Sequence, residues 1–239
     1  KISSKARLGL NLTIAETRSE VAPFGLITSL LSMPPTATIY ESDGSYTLRN
    51  PFENIFANPI ATLNERKNEA VTDRVLGTVF GEYDILKNLT VKVSFGTDVI
   101  FNKEKSYLPS SIYEGLITNG EGKIGTADSK TWLNENTLTY SKVFGEKHSL
   151  NALVGYTMEE TREENLFGSK KGVPADLASL KYLNAAQNAT SASVSGAAWE
   201  SAMISYLGRV NYGFDDRILA TLSLRADGSS KFAKQNRYA

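Results

Sequence analysis

Hydrophobic and polar residues alternate along several stretches of this chain. In the first stretch, Leu8, Leu10, Leu12 and Ile14 are separated by Gly9, Asn11 and Thr13. Because successive side chains of a β-strand point to opposite faces of a sheet, this period of two predicts strands with one apolar and one mostly polar face. The clearest predicted strands are 7–14, 89–96, 149–158, 202–214 and 218–227, and weaker patterns predict two more at 74–83 and 132–144.

The predicted strands are long. Most have about nine to thirteen residues, whereas strands of soluble proteins average ~5–6 residues. A tilted strand that crosses a lipid bilayer needs ~9–11 residues. Strand length therefore favours a membrane-spanning sheet over a soluble β-sandwich.

Short and long connections alternate between these strands. The short ones are 84–88, 145–148 and 215–216, and the long ones are 17–73, 99–131 and 160–198. Transmembrane barrels have this asymmetry, with short periplasmic turns and longer extracellular loops. The pattern predicts that all long connections lie at one end of the sheet, outside the cell.

Aromatic residues cluster near the predicted strand ends. Amphipathic aromatic rings favour the two interfaces of a membrane, so two such clusters are typical of a membrane barrel. Cross-strand aromatic packing in a soluble sheet gives the same pattern, so this feature does not decide alone. Near the short turns lie Tyr83, Tyr140, Phe144, Tyr212 and Phe214, and near the long connections lie Trp132, Tyr156 and Trp199.

These features together predict an all-β fold, an antiparallel transmembrane β-barrel segment of about seven strands with long extracellular loops. A half-buried antiparallel sheet also gives alternation. A soluble β-rich binding module, for example one that binds carbohydrate, therefore stays open as an alternative.

Composition excludes several classes of function. The chain has 26 Lys plus Arg and 26 Asp plus Glu, whereas a nucleic-acid-binding protein normally has a basic excess. It contains no cysteine and one histidine, so disulfides, thiol catalysis and multi-histidine metal sites are excluded. We therefore expect a protein that is not an enzyme, with no catalytic residues, no cofactor and no metal.

Three polar groups carry side chains that can serve catalysis or ion binding, and an ordinary role is the better interpretation of each. His148 is interpreted as a solvated turn residue, because a general base needs a partner and a cleft. The glutamates of 159–164 lack the spaced ligands and the glycine of a calcium loop. The segment 227–230, Asp-Gly-Ser-Ser, is interpreted as a turn in which Asp and Ser bond the backbone.

Polar residues that alternate with the apolar ones are better candidates for function. An Arg or Lys on the lipid face of a barrel costs ~2–4 kcal/mol at the membrane midplane, so charged side chains should point into the lumen. The lumen-facing candidates are Arg7, Lys92, Arg209, Arg225 and Asp227. The loop aromatics that are candidates for contact with a ligand or partner are Tyr40, Tyr46, Tyr107, Tyr113 and Tyr182.

Several stretches resemble the SusC/RagA family of TonB-dependent outer-membrane transporters. Residues 206–232, YLGRVNYGFDDRILATLSLRADGSSKF, are similar to a strand–turn–strand of that family followed by its Arg-x-Asp-Gly-Ser-Ser segment. Residues 140–156, YSKVFGEKHSLNALVGY, resemble another hairpin of the family. Further similar segments are 40–46, 58–65 and 82–98, and the resemblance covers nearly the whole chain in a consistent order.

The resemblance implies an outer-membrane barrel of about 22 strands in a Gram-negative bacterium, closed by an N-terminal plug. It implies active import of oligosaccharides or peptides, with a SusD-like surface lipoprotein and the TonB complex as partners and with lipid around the barrel. Residues 1–239 would be part of one barrel domain, and we expect the plug, the TonB box and the remaining strands to be absent from this chain. A passive porin or an adhesin built on the same barrel is a further alternative.

Overall fold

Seven antiparallel strands form one sheet, and each strand pairs with its neighbours along the chain. The computed structural model describes residues 3–48, 57–173, 183, 192–215 and 217–238. The strands are β1 (Ala6–Glu20), β2 (Lys67–Leu86), β3 (Leu89–Leu108), β4 (Glu121–Phe144), β5 (His148–Lys171), β6 (Ser193–Phe214) and β7 (Ile218–Ser229). The sheet is open, with β1 and β7 at its edges. All seven predicted strands are confirmed, and so is the antiparallel all-β fold.

The pairing register keeps each predicted apolar set on one side of the sheet. Leu10 of β1 pairs with Val79, which pairs with Phe95. Directly opposed residues of an antiparallel pair lie on the same face, so this register row identifies the apolar face. The row continues through Asn134 and Met158 to Ile204. The opposite side is called the polar face below.

The apolar face is not covered by any other described part of the chain. Leu10 is 70% exposed and Leu224 is 72% exposed. A soluble sheet of this size would bury such a surface against a second layer of structure. The exposure therefore requires an apolar environment on this side of the sheet.

The strands are much longer than the sequence pattern indicated. β4 and β5 have 24 residues each. On the apolar face of β4, Leu138 and Trp132 are followed by Lys130 and Asp128. The apolar alternation thus ends about halfway along the strand, while the backbone pairing continues. Only the apolar part has the length of a bilayer crossing, ~9–11 residues.

The long connections predicted at 17–73, 99–131 and 160–198 are therefore wrong in their bounds. The strands continue beyond their apolar alternation, and these strand extensions occupy much of the predicted connections. The connections between strands are 21–66, 109–120 and 172–192. The extensions carry charges on both faces, so they lack the period of two on which the prediction depended. All three connections lie at the same end of the sheet, as predicted.

The connections at the other end are short, as predicted. Residues 145–147 join β4 to β5, and residues 87–88 join β2 to β3. Gly145 and Glu146 both have positive φ, at 53° and 61°. Positive φ at consecutive turn residues matches the right-handed twist of the strands that such a turn connects.

The aromatic clusters are only partly as predicted. The five aromatics near the short turns all lie on the apolar face, as does Trp132, which stacks on Phe95 with ring centroids 6.4 Å apart. Tyr156 also lies on this face but far from the end of β5, beside Tyr206 at 5.3 Å. Trp199 lies on the polar face, where Lys231 Nζ is 5.4 Å from its ring. The prediction for Trp199 is wrong because the register of β6 gives odd-numbered residues to the polar face.

Short helices lie in the long connections. They are α1 (Leu26–Ser32), α2 (Pro59–Glu65) and α3 (Tyr113–Leu116). Asn58 caps α2, because its side-chain oxygen accepts from the backbone N–H groups of Ile60 and Ala61, which have no partner inside the helix. No helix in the described ranges is long and apolar enough to cross a membrane.

The fully buried apolar residues of the described chain gather where the long connections meet the sheet. This cap core consists of Ala61, Tyr107, Ile112 and Val173, which are 1–4% exposed. The hydroxyl of Tyr107 donates to the backbone oxygen of Val173 at 3.2 Å. The cap core therefore ties α2, the 109–120 connection and the end of β5 together, independently of the apolar face.

Gly120 lies at a close approach of two connections beside the cap core. Its φ is +82°, and a Cβ at this position would meet the backbone oxygen of Val173. The Gly120 oxygen also accepts from the backbone N–H of Gly172 at 2.8 Å. A side chain here would strain the turn and separate two connections.

We predict that Gly120→Ala loosens the cap core and speeds cleavage of the 109–120 connection in limited proteolysis of the detergent-purified protein. The matched control is Gly44→Ala, because Gly44 has a φ of +85° but nothing within 4 Å of its Cβ position. Gly44→Ala introduces only backbone strain, about 1–2 kcal/mol. Equal cleavage of the two variants would contradict this role of Gly120.

Candidate functional site: the polar face of the sheet

The register places all five lumen-facing candidates on one side of the sheet. Arg7, Lys92 and Arg225 belong to a single register row, and Arg209 and Asp227 belong to the adjacent rows on the same face. This is the polar face, opposite Leu10 and Phe95. The five residues therefore share a face, and that this face lines the lumen stays a prediction.

Arg7 is the centre of an ion-pair network at the short-turn end of the polar face. Its guanidinium bonds Glu82 at 2.9 Å and both carboxylate oxygens of Asp84 at 2.9 and 3.1 Å. Thr90 donates to the same Asp84 at 2.8 Å. Two-point guanidinium–carboxylate bonds fix orientation as well as charge. Arg7 is thus held to the wall and not directed at solvent.

Lys92 belongs to the same network. Its Nζ lies 3.7 Å from Glu82 and 4.5 Å from the centroid of the Phe80 ring. A cation above an aromatic face is attracted by the ring quadrupole. Two cations and two carboxylates meet here, so the network is close to neutral and offers little net charge to a ligand.

A second cluster lies on β6 and β7. The Arg225 guanidinium bonds Asp227 at 2.7 Å and the hydroxyl of Ser205 at 3.2 Å. Ser205 has no exposed surface. Arg209 donates to Ser223 at 3.1 Å, and no carboxylate of the described residues lies within ion-pair distance of it. Arg209 is therefore the candidate cation with charge available to a ligand.

Only the last residue of the segment 227–230 lies in a turn. Asp227, Gly228 and Ser229 belong to β7, and Asp227 pairs with Arg225 rather than with the backbone. The φ of Gly228 lies outside the left-handed region, and a Cβ there would collide with the ring of Tyr238. The turn interpretation is wrong because a ring packs over this glycine. Ser230 does bond the backbone, since its hydroxyl accepts from the Ala202 N–H at 2.8 Å.

Sequence reasoning missed an important part of the polar face. Arg74 and Asp98 form a two-point ion pair at 2.9 and 2.6 Å, and Glu82 and Asp84 hold Arg7. These partners lie on different strands, so sequence spacing alone does not join them. A register built from the short turn 87–88 places Glu82 opposite Lys92, whereas the pairing of Glu82 with Arg7 joins β1 and β2 across the long connection 21–66.

Uncharged hydrogen-bonding side chains form a ladder across four strands near the short turns. Asn151 donates to Ser141 at 2.6 Å, Asn211 donates to Asn151 at 3.4 Å, and Thr221 donates to Asn211 at 2.9 Å. A groove of about 650 Å³ follows this ladder. Its amides and hydroxyls can bond a neutral polar ligand without exchanging charge.

The polar groups that were given ordinary roles show no catalytic arrangement. Glu159 and Glu163 lie on the polar face, whereas Glu160 and Glu164 lie on the other face, so the four cannot share one ion. No metal-binding group of carboxylates and histidine occurs among the described residues. His148 is exposed, as its interpretation as a solvated residue requires, but it begins β5 directly after the turn and bonds the Tyr212 hydroxyl at 2.6 Å.

The loop aromatics are not equivalent. Tyr40 stacks on Tyr46 with centroids 5.2 Å apart, and Asn64 donates to the Tyr46 hydroxyl at 2.9 Å. Tyr113 is half-buried in α3. Tyr107 belongs to β3 and to the cap core, so its assignment as a loop residue is wrong. Tyr182 lies outside the described residues.

The Tyr40–Tyr46 pair encloses a turn that its own side chains hold. Ser45 donates to Asp43 from its backbone at 2.9 Å and from its hydroxyl at 2.6 Å. These bonds hold the pKa of Asp43 below its ordinary value, since they favour the charged carboxylate. The exposed ring of Tyr40 is thereby presented on a fixed turn.

Comparison with known proteins gives the family. TonB-dependent receptor P3 of Formosa agariphila is 30% identical to the chain over 214 residues, which are 90% of this chain and 21% of that protein. TonB-dependent receptor P26 of the same organism is 29% identical over 250 residues, with 100% of this chain and 24% of that protein covered. The chain belongs to the TonB-dependent receptors. It spans about a fifth to a quarter of the length of these relatives.

Solved structures give the same result for the fold of this TonB-dependent receptor segment. A structure of the RagAB peptide transporter superimposes on all of the chain with a TM-score of 0.83 at 24% identity, over 28% of its own chain. A structure of the RagAB peptide importer in an open-open state gives 0.82 at 24% identity. No protein-family model matches the chain. The resemblance to the SusC/RagA family and to a segment of its barrel is confirmed.

We predict that Arg7→Leu lowers the temperature at which the barrel unfolds, measured by the heat-dependent shift of its mobility on gels. The substitution leaves Glu82 and Asp84 side by side without the guanidinium between them, and such carboxylates repel each other. Arg7→Lys should lie between wild type and Arg7→Leu.

The control for this prediction is Arg18→Leu. Arg18 pairs with Glu16 on the β1 extension, where both side chains are more than half exposed, and exposed pairs of this kind add little stability. An equal effect of the two substitutions would show that the Arg7 network does not stabilise the wall.

Proposed function

We propose that this chain is part of the barrel wall through which a TonB-dependent receptor imports oligosaccharides or peptides across the outer membrane. The main observation in support is that the sheet has an exposed apolar face on one side and an ion-paired, hydrogen-bonding face on the other. In this proposal the apolar face meets lipid and the polar face lines the lumen. Residues 1–239 are then part of a single barrel domain whose plug and remaining strands lie elsewhere in the polypeptide.

Backbone pairing supports the membrane location. Each interior strand is hydrogen-bonded on both sides along the whole apolar stretch. In hydrocarbon every backbone N–H and C=O needs such a partner, so only helices and closed barrels cross a bilayer. The edges β1 and β7 need further strands for the same reason. A soluble β-rich module would expose this apolar face to water, because no described part of the chain covers it.

Chemistry of the polar face bears on the substrate. Most charges on it are paired with each other, and the ladder of Asn151, Asn211 and Thr221 is neutral. Both a sugar and a peptide backbone offer matching neutral donors and acceptors. The similar RagAB structures are of a peptide transporter, which supports peptides as the substrate. The names of the TonB-dependent receptors P3 and P26 state no substrate.

The long-loop end is the proposed extracellular end. The surface there lies beyond the apolar part of the sheet and consists of the strand extensions, the cap core and the Tyr40–Tyr46 pair. We assign to it the contact with a SusD-like surface lipoprotein and with arriving substrate. The TonB complex would act from the opposite side through parts of the protein outside this chain.

A cysteine pair tests location and orientation together. Asn211 and Val210 are adjacent in β6 and lie on opposite faces, and the chain contains no cysteine. We predict that a charged, membrane-impermeant maleimide labels Asn211→Cys in outer-membrane preparations and does not label Val210→Cys. Lipid shields the second position. Equal labelling of both, or recovery of the protein in the soluble fraction without detergent, would contradict the membrane wall.

The substrate class is tested by uptake. We predict that cells that express the full protein take up labelled oligosaccharides or oligopeptides only with an intact TonB system, and that Arg209→Ala with Asn211→Leu lowers this uptake. Arg18→Leu, on the apolar-face side of β1, is the control and should transport normally. TonB-independent uptake would favour a passive channel, and absence of uptake in the presence of surface binding would favour an adhesin.

A further inference from the structure

A half-exposed tryptophan lies on the polar face in the part of β6 that is nearest the long connections. Trp199 is 44% exposed, and its register partner on β5 is Glu163. The same register row contains Ser129 of β4, next to Lys130, where the apolar alternation of that strand has ended. Tryptophan is highly buried on average, so an exposed indole among polar side chains calls for a partner. Under the proposed function, the ring lies on the inner side of the wall near its extracellular end.

The ring of Trp199 has a cation above it. Lys231 follows β7, and its Nζ lies 5.4 Å from the ring centroid. A cation within ~6 Å of an aromatic centroid is attracted by the ring quadrupole, and tryptophan gives the strongest attraction. Lys231 is exposed and has no ion pair among the described residues. Its ammonium is therefore an internal example of the chemical group that this surface attracts.

Glu163 places a carboxylate beside the ring. Directly opposed residues of an antiparallel pair have Cβ atoms ~4.5–5.5 Å apart, and Glu163 is half-buried. Its sequence neighbour Arg162 lies on the other face of the sheet, where it pairs with Glu200 at 3.5 Å. Glu163 itself has no ion pair within the described ranges, and neither has Glu159, two positions along the same face. A partly buried carboxylate without a counter-charge favours the binding of a cation.

An aromatic face next to a carboxylate selects among ligand groups by charge. The side chain of lysine or arginine can place its cation over the ring and bond the carboxylate with its N–H groups. A neutral sugar can donate hydroxyls to the carboxylate but gains nothing from its charge. A carboxylate or phosphate of a ligand would be repelled by Glu163 and Glu159. The arrangement therefore fits a cationic group best.

We propose that Trp199 and Glu163 form a subsite for a cationic side chain, lysine or arginine, of an imported peptide. The inference rests on the proposed function, because it takes the polar face to line the lumen, and it selects peptides from the two substrate classes. The peptide cation takes the place of Lys231 over the ring and pairs with Glu163. Lys231 then turns to solvent, which its exposed position allows.

Selection from a mixture of peptides tests the subsite. The probe is a peptic digest of serum albumin, incubated with the full-length protein purified in detergent with its bound partners, and mass spectrometry compares bound with unbound peptides. We expect peptides that contain lysine or arginine to be enriched about tenfold over peptides that contain neither, from one cation–π contact and one charge pair. The double variant Trp199→Ala with Glu163→Gln should bind neutral peptides as before and lose this enrichment.

Phe167→Ala is the matched control. Phe167 is also an exposed ring on the polar face of β5, but its register partners Gly125 and Ser195 carry no charge. This variant should keep the enrichment, whereas Lys231→Met removes the internal cation and should increase it. An enrichment that is absent from the wild type, or that survives in the double variant, overturns the subsite.

Failure of the subsite is distinguishable from failure of the proposed function. Each variant should show the heat-dependent gel mobility of the wild type, so that a lost enrichment is not a loss of folding. Wild-type protein that imports peptides with an intact TonB system but without preference for cationic ones overturns the subsite alone, and so does import of oligosaccharides only. Wild-type protein that imports neither class overturns the proposed function itself.

Discussion

Every backbone polar group in a lipid bilayer must find its partner inside the protein, and the organisation of this chain follows from that constraint. Between hydrocarbon tails no water can complete a broken ladder. The chain therefore connects neighbouring strands with tight turns at one end and keeps continuous antiparallel pairing from β1 to β7. The register is continuous except for a shift between Asp84 and Leu86 beside a short turn, and it preserves the identity of each face. Leu10 on the first strand and Ile204 on the sixth thus lie on the same side.

Once the faces are fixed, the two sides of the wall have different chemical requirements. The apolar face needs side chains that tolerate hydrocarbon and gains nothing from specific partners. The polar face needs its charges neutralised locally, because the surrounding wall lowers the effective dielectric and unpaired charges are costly. The network of Arg7, Glu82 and Asp84 meets this need. As a result, most charges on this face have partners, while Arg209, Glu159 and Glu163 have no ion pair among the described residues.

What could be predicted from the sequence depends on whether a residue lies in the apolar part of the sheet or beyond it. Alternation found the strands and placed Arg7, Lys92, Arg209, Arg225 and Asp227 on one face, because lipid imposes an apolar residue at every second position. Beyond the membrane that constraint disappears. The extension of β4 carries Lys130 and Asp128 on the face that holds Leu138 lower down, so no period marks the strand. Tyr107 was assigned to a loop for this reason. The ion pairs of Arg7 with Glu82 and Asp84 could not be predicted because they join residues about 75 positions apart, on strands separated by the long connection 21–66.

Strand extensions change how a barrel wall can be used. Inside the bilayer a strand must present one apolar face, which leaves only half of its side chains for function. Above the bilayer both faces are free, and the cap core shows that the connections there bury residues of their own, among them Tyr107, Ile112 and Val173. A surface with its own core can hold a fixed shape without help from lipid. The proposed recognition of a ligand or a surface partner is assigned to this end because side chains there are unconstrained by hydrocarbon. The polar face of the apolar part of the sheet carries mostly paired charges and a neutral hydrogen-bonding ladder, with Arg209 as an unpaired cation.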